Sequence, residues 1–256
     1  MTDLLAQLLT LSRNLGDPAN DYVILGEGNT SARVDSDSFW VKASGASLNG
    51  ITSDGFVQVR AGDMLAVLDE DLSDTEVRDR LMSAVIQGKG RPSVETPLHA
   101  VALREGGAHF VGHTHPTAVN AVLCSNLVEA ALAGRLFPDE IVVCGPAPLY
   151  IPYIDPGLPL ARAVRQGIAR HTQEYGEPPR VILMQNHGLV ALGKTAQDVE
   201  QITAMMVKTA RILLGTFALG GPHFLSPEAA GRIHTRPDEH YRRQMLQDGA
   251  NAEGKF

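Results

Sequence analysis

Strand-type and helix-type patterns alternate along this sequence. Short apolar runs such as "FVQVR" (56–60) stop at polar or Gly-rich turns. Between them lie stretches whose apolar residues recur every three to four positions. A chain patterned this way has to fold strands and helices into a mixed α/β core. No internal repeat, low-complexity tract or linker divides it. The expectation is one α/β domain over residues 1–219, followed by a C-terminal extension, 220–256, whose polar and charged sequence predicts loose order.

Local signals place the elements. Leu4, Leu5, Leu8, Leu9 and Leu11 share one face of a first helix, which should stop near Gly16 ahead of Asp17-Pro18. "YVILGEGNTSARV" (22–34) and "SFWVKASGASL" (38–48) read as strand-type runs ending in turns. Ser73 and Glu76 fit a capping box before the stripe Val77, Leu81, Val85. Ser93 predicts a cap for the helix "VETPLHAVALRE", which leads into the strand "AHFVGHTH". A helix from Thr117, a strand "EIVVCG" (140–145), a helix from about Leu158 and a strand "RVILMQ" follow. Thr195 and Asp198 fit a second capping box, before a helix with Val199, Ile202, Met206 and Leu213 on one face.

Composition excludes several classes of function. A formal net charge of −7 over 256 residues argues against binding duplex nucleic acid through a basic face. No run approaches the roughly 20 apolar residues of a membrane span, and the N-terminal stretch lacks the basic region and cleavage site of a signal peptide. Cys124 and Cys144 have no metal-type spacing and fit a reducing compartment. A soluble cytoplasmic protein, with neither nucleic acid nor membrane as partner, is the expectation.

The chemistry concentrates in histidines at strand ends. In "HFVGHTHPTAV" (109–119), His113 and His115 stand two residues apart, so a strand turns both to one face. In "VILMQNHGLVALG", His187 lies at the turn between two apolar runs. A plainer reading makes each a polar loop edge, since Asn-His-Gly also suits an ordinary turn. If the strand ends lie side by side, three neutral imidazoles can hold Zn²⁺ or another divalent ion and leave a position open for Lewis-acid chemistry. Glu95, expected in the first turn of the helix that feeds the His113 strand, either complements the helix dipole or reaches the metal as a fourth donor and general base.

His99 shares the helix face of Glu95 and reads as a packing histidine or a hydrogen-bond partner of the site. His109 is left outside the site. His171, His223, His234 and His240 have no supporting context and read as surface residues. "GEGNTSAR" (26–33) and "KASGAS" (42–47) offer backbone N–H groups and hydroxyls to an anion, with Arg33 and Lys42 as countercharges and Ser93 as a further donor.

Together "GEGNTSAR", "KASG", "PSVETPLH", "VGHTHP" and "NHGLVALG" resemble, in order and spacing, the class II aldolase/adducin family over about residues 5–215. "GEGNTS…WVKASG" is most similar to the aldolase portion of longer bacterial proteins that continue into a short-chain dehydrogenase, a part with no counterpart in this sequence. The resemblance implies a three-layer α/β domain with a central, mainly antiparallel sheet flanked by helices, assembled as a homotetramer. It implies Zn²⁺ on His113, His115 and His187, Glu95 as catalytic acid/base, and Asn29, Ser44, Gly45 and Ser93 as substrate-phosphate positions.

The activity implied is aldol cleavage of a sugar phosphate or related hydroxy-ketone through a stabilised enediolate. Epimerisation, decarboxylation or dehydration at the same site are the alternatives, as is a non-catalytic adducin-like module. Two departures stand out. Val94 follows Ser93 where the aldolases often carry a second hydroxyl, and Tyr241 does not align convincingly with the family's proton-donating tyrosine.

Overall fold

A computed structural model describes residues 3–236. Its eight strands are β1 (Asn29–Arg33), β2 (Ser38–Lys42), β3 (Phe56–Arg60), β4 (Val85–Gln87), β5 (Phe110–Thr114), β6 (Leu149–Ile151), β7 (Val181–Met184) and β8 (Gly188–Gly193). They form one sheet in the order β4-β3-β2-β1-β5-β8-β7-β6. Every neighbouring pair is antiparallel except β6 and β7.

The helices are α1 (Asp3–Leu15), α2 (Ala61–Ala66), α3 (Asp74–Ser83), α4 (Thr96–Arg104), α5 (Thr117–Leu123), α6 (Val128–Leu132), α7 (Pro138–Cys144), α8 (Leu158–Tyr175), α9 (Ala196–Ala218) and α10 (Pro227–Thr235).

Period-two alternation splits the sheet's apolar residues between two cores. Val41, Val57, Val111, Ile182 and Val190 meet Leu98 and Val101 of α4 and Leu160 and Val164 of α8 on one side. Trp40, Phe110, Val181, Leu183 and Leu189 meet Leu8 and Leu11 of α1 and Val199 and Ile202 of α9 on the other. The result is the three-layer α/β architecture with a mainly antiparallel sheet. Gly112 lets the second layer sit close, because a Cβ there would lie 2.6 Å from Val199 Cγ1 and 2.8 Å from Leu15 Cδ1.

Several elements form as their sequences predict. β3 covers 56–60, α1 ends at Leu15 before Gly16, and both capping boxes close, at Ser73–Glu76 and Thr195–Asp198. Others differ. "EIVVCG" lies mostly in helix α7 and makes no strand. Pro138 needs no N–H at the first helical position, and Glu140 accepts from the Leu136 N–H (2.8 Å) and Arg135 Nη1 (2.7 Å). Ile141, Val142 and Cys144 are then buried.

In "YVILGEGNTSARV" the strand begins only at Asn29, after a loop in which Leu25 and Gly28 take φ of 52° and 67°. Beyond 220, α10 is ordered: Ser226 Oγ accepts from the Ala229 N–H, and Ile233 packs with Ile141 and Val142. His171 is buried, its ring nitrogens 3.0 and 3.1 Å from the carbonyls of Glu177 and Ala147, so it is no surface residue. His223 is exposed. His240 and Tyr241 lie outside the described residues.

Candidate functional site

Strand β5 carries His113 in its last turns of pleat and delivers His115 just beyond its end. There the His115 N–H donates to the Tyr22 carbonyl (2.8 Å), and Pro116 precedes α5. β7 and β8 form a hairpin whose turn holds Asn186 at φ 55° and closes through the His187 N–H to Met184 O (3.1 Å). Asn120 Nδ2 of α5 donates to the His187 carbonyl (3.0 Å) and braces that turn. Because Thr114 pairs with Leu189 across β5 and β8, the two strand ends arrive together. Gly188 makes the approach possible: a Cβ there would lie 2.6 Å from both His115 Cδ2 and the Thr114 carbonyl.

The three imidazoles converge. Their ring centroids are 4.7, 4.9 and 5.2 Å apart, and one nitrogen of each lies within 4.8 Å of the others. His113 Nδ1–H donates to the Leu189 carbonyl (3.0 Å), which fixes the tautomer and leaves Nε2 as a bare acceptor. That Nε2 faces His115 Nε2 at 3.0 Å and the Glu95 carboxylate at 3.6 Å. Glu95 Oε1 is also 3.1 Å from His187 Nε2. Acceptors gathered around one point, with Glu27 Oε1 a further 3.7 Å behind His115 Nδ1, suit a divalent cation.

Electrostatics follow from burial and crowding. Burial pushes the His115 ring down to about 3, and the neighbouring His113 and His187 add to the effect. Burial would raise the Glu95 carboxyl, but His113 and His187 outweigh it and hold the group well below the usual carboxylate range. Burial lowers His113, yet Glu95 and the Leu189 carbonyl leave it raised.

The expected anion positions are partly assembled. An isolated bridge between Ala43 and Pro92 lays the 43–46 turn against the 91–95 segment, with the Ser44 N–H donating to Arg91 O (2.8 Å). Gly45 takes φ 82°, with open space where a Cβ would stand. Ser93 Oγ accepts from the Glu95 N–H (3.2 Å), and Glu95, not Ser93, stands at the N-cap position of α4, one residue ahead of its first turn, with no capping hydrogen bond from its side chain. Asn29 sits opposite His113 and donates from Nδ2 to Glu95 Oε2 (2.7 Å).

Lys42 is buried, its Nζ donating to the carbonyls of Gly26 (3.2 Å) and Ala46 (2.5 Å). Its pKa is lowered by desolvation, against the pull of Glu95. Arg33 does not join the site, because it ends β1 at the other edge, where its N–H bonds His109 O. Sequence reasoning missed Glu27 and the involvement of Ser31, whose Oγ lies 2.7 Å from His99 Nδ1. The i, i+2 spacing of Asn29 and Ser31 was the available signal.

Residues 6–214 match the family model described as Class II Aldolase and Adducin N-terminal domain. A curated relative from Bacillus subtilis (strain 168), named an uncharacterized oxidoreductase, YuxG, is 29% identical over 195 residues. That alignment covers 72% of this chain but 26% of YuxG, so the chain spans about a quarter of that relative's length. Among solved structures, the N-terminal class II aldolase domain of a conserved protein from Thermoplasma acidophilum is 25% identical. It is covered over 95% of its length by 84% of this chain, with a TM-score of 0.65. An L-fuculose 1-phosphate aldolase (16% identity, 91% of this chain, 95% of that one, TM-score 0.68) shares the fold. So does YgbL from Klebsiella pneumoniae, titled a putative aldolase/epimerase/decarboxylase (18% identity, 90% and 97%, TM-score 0.67).

Proposed function

The chain belongs to the Class II Aldolase and Adducin N-terminal domain family, and from that premise we propose that it is a metal-dependent aldehyde-lyase acting on a phosphorylated hydroxy-ketone. One observation carries the reading: three imidazoles meet within 4.8 Å, and the carboxylate of Glu95 touches two of them. His113, His115 and His187 would hold Zn²⁺ or another divalent ion, with Glu95 as a fourth donor at rest. Bound there, the ion supplies positive charge beside the oxygen on which negative charge develops.

The chain's own groups do the rest. In the condensation direction Glu95 takes a proton from the carbon next to the ketone. The C–H bond breaks, an O–H bond forms on the carboxylate, and the electron pair delocalises onto the carbonyl oxygen as an enediolate. The enediolate carbon then forms a C–C bond to the aldehyde carbon, the aldehyde's C=O pair moves onto its oxygen, and that alkoxide takes a proton from a water molecule, which in cleavage takes the hydroxyl proton back. Cleavage runs the same steps backwards, with Glu95 returning the proton. Asn29, Gly45 and the hydroxyls of Ser44 and Ser93 would orient the substrate's phosphate at the Ala43–Pro92 bridge. Burial of Asn29 and His113 supports a site with little bulk water.

The test is deuterium exchange into dihydroxyacetone phosphate by the Zn²⁺-loaded protein, followed by product analysis over sugar phosphates and aromatic carboxylates. Exchange together with aldehyde release is the expected result. Loaded protein that exchanges nothing and cleaves nothing overturns the reading in favour of a non-catalytic module.

Val94, half-exposed where aldolases often place a second hydroxyl, favours a second reading. In it the same enolate chemistry serves epimerisation, decarboxylation or dehydration of a less highly charged substrate. Product identity separates the two. Exposed Ile24 and Leu25, on the loop beside His115, support assembly into an oligomer, a homotetramer in this reading, which sedimentation velocity would test.

A further inference from the structure

Two pairs of residues face each other beneath the histidine cluster. Asn29 and Ser31 stand two apart on β1 and point to the same side, and Glu95 and His99 stand four apart on one helical face. Three hydrogen bonds link them in series. Ser31 Oγ is 2.7 Å from His99 Nδ1, His99 Nε2 bonds Asn29 Oδ1, and Asn29 Nδ2 donates to Glu95 Oε2 at 2.7 Å. His99 is 1% exposed and fully inside the protein. Its burial pushes the ring down to about 3, so it is neutral and carries a single N–H.

A neutral ring satisfies this series in two ways. In one, the Ser31 hydroxyl donates to Nδ1, Nε2–H donates to Asn29 Oδ1, and the Asn29 amide donates to Glu95. In the other, the ring proton sits on Nδ1 and the amide is turned over, which sets its carbonyl oxygen against a carboxylate oxygen, acceptor against acceptor. The first arrangement satisfies every atom; the second leaves two acceptors in contact.

We propose that His99 is a positioning residue: by holding the Asn29 amide with its NH₂ toward Glu95, it occupies Oε2 and leaves Oε1, on the histidine side, as the oxygen that carries the substrate's proton. Asn29 keeps one N–H for a ligand, while its Oδ1 already accepts from His99. The group Asn29 meets is therefore an acceptor, such as a phosphate, hydroxyl or carbonyl oxygen. This inference rests on Glu95 being the proton carrier of the proposed reaction, and its test has an arm independent of that reaction.

The independent arm is long-range ¹H–¹⁵N NMR of the ¹⁵N-labelled, Zn²⁺-loaded protein. His99 is expected as the neutral Nε2–H tautomer throughout pH 6–9, and a proton on Nδ1 overturns the proposal. The second arm reads deuterium exchange into dihydroxyacetone phosphate. His99→Leu is expected to lower kcat about ten- to a hundredfold, with KM and bound Zn²⁺ nearly unchanged.

His99→Gln, whose amide N–H can replace Nε2–H, is expected to recover most of kcat. His99→Leu on an Asn29→Ala background is expected to add no further loss, because His99 acts through Asn29. Equal losses in the Leu and Gln variants, or losses that multiply, overturn it. If the wild-type protein exchanges no deuterium, the aldolase reading falls while the tautomer still decides the role of His99.

Discussion

At the end of β5, β7 and β8 remote from the histidines, a cavity of about 210 Å³ is lined by Glu177, Arg180, Lys194 and Asp198 among others. The charges of Lys194, Arg180 and Asp198 are answered within the fold. Lys194 Nζ donates to Gly107 O (2.5 Å), Arg180 Nη1 to the carbonyls of Val142 and Val143 (both 3.4 Å), and Asp198 closes the capping box of α9. Glu177 lies 3.3 Å from His234 Nε2.

At the other end, the Nε2 atoms of His113 and His115 lie 3.0 Å apart, and His113 Nε2 is 3.6 Å from the Glu95 carboxylate. A charged hollow is thus no guide to chemistry by itself. The distinguishing mark is three ring nitrogens and a carboxylate turned toward one point, a donor set that suits a divalent cation.

The sharpest way to break this contrast is a paired substitution. His113→Ala is expected to abolish stoichiometric Zn²⁺ retention after dialysis, measured by elemental analysis, together with all turnover. Lys194→Ala at the remote end should leave both at wild-type levels. If the two variants lose metal equally, the contrast fails. Next, Glu95→Gln should keep bound metal but lower deuterium exchange about 10²–10³-fold; undiminished exchange removes the glutamate from the mechanism. Gly188→Ala pushes a methyl against His115 and an immovable backbone carbonyl, so metal affinity measured by competition with a chelator should fall about 10–100-fold.

A pH titration sharpens the contrast further. His99 and His115 are both held near 3 in the folded protein, against roughly 6.5 when unfolded. Between those values the unfolded chain binds protons that the folded one does not. Stability of the metal-free protein should therefore fall as pH drops from about 6.5 toward 3, by at most about 1.4 kcal/mol per unit for each ring. Urea unfolding at pH 7, 6 and 5 measures the slope, and His99→Gln should make it shallower. An unchanged slope in that variant would show that His99 does not titrate as its burial requires. Last and smallest, Thr195→Ala at the remote end should cost about 1 kcal/mol through the lost cap of α9, and leave metal binding untouched.

Much of the fold was legible because local and global preferences agree. The alternation in 56–60 and the hydroxyl–acid pairs at Ser73 and Thr195 each specify an element from neighbours alone. The β-branched run at 141–143 misled, since it suits a strand in isolation. Pro138 and the acids after it, together with packing against Ile233 and α9, decided for a helix. His171 was misread for a related reason: its two carbonyl partners come from loops that only the tertiary fold brings near.

For the candidate site, the spacing of His113 and His115 announced a shared face, and the fold brought His187 and Glu95 to it. Glu27 was not legible, because its closeness to His115 depends on the left-handed turns of the 22–28 loop. The Asn29–His99 contact depends on the side-by-side placement of β1 and α4, which no single stretch of sequence displays.

The hairpin that presents His187 has a consequence for folding as well as for chemistry. His115 and His187 are distant in sequence, so an ion bound to both ties off a long loop of chain, much as a covalent cross-link does. Native protein that binds the ion more tightly than the unfolded chain gains about 2.7 kcal/mol when free ion stands a hundredfold above its dissociation constant. The melting temperature of this protein should then report the free metal concentration around it, making heat resistance a readout of nutrient supply.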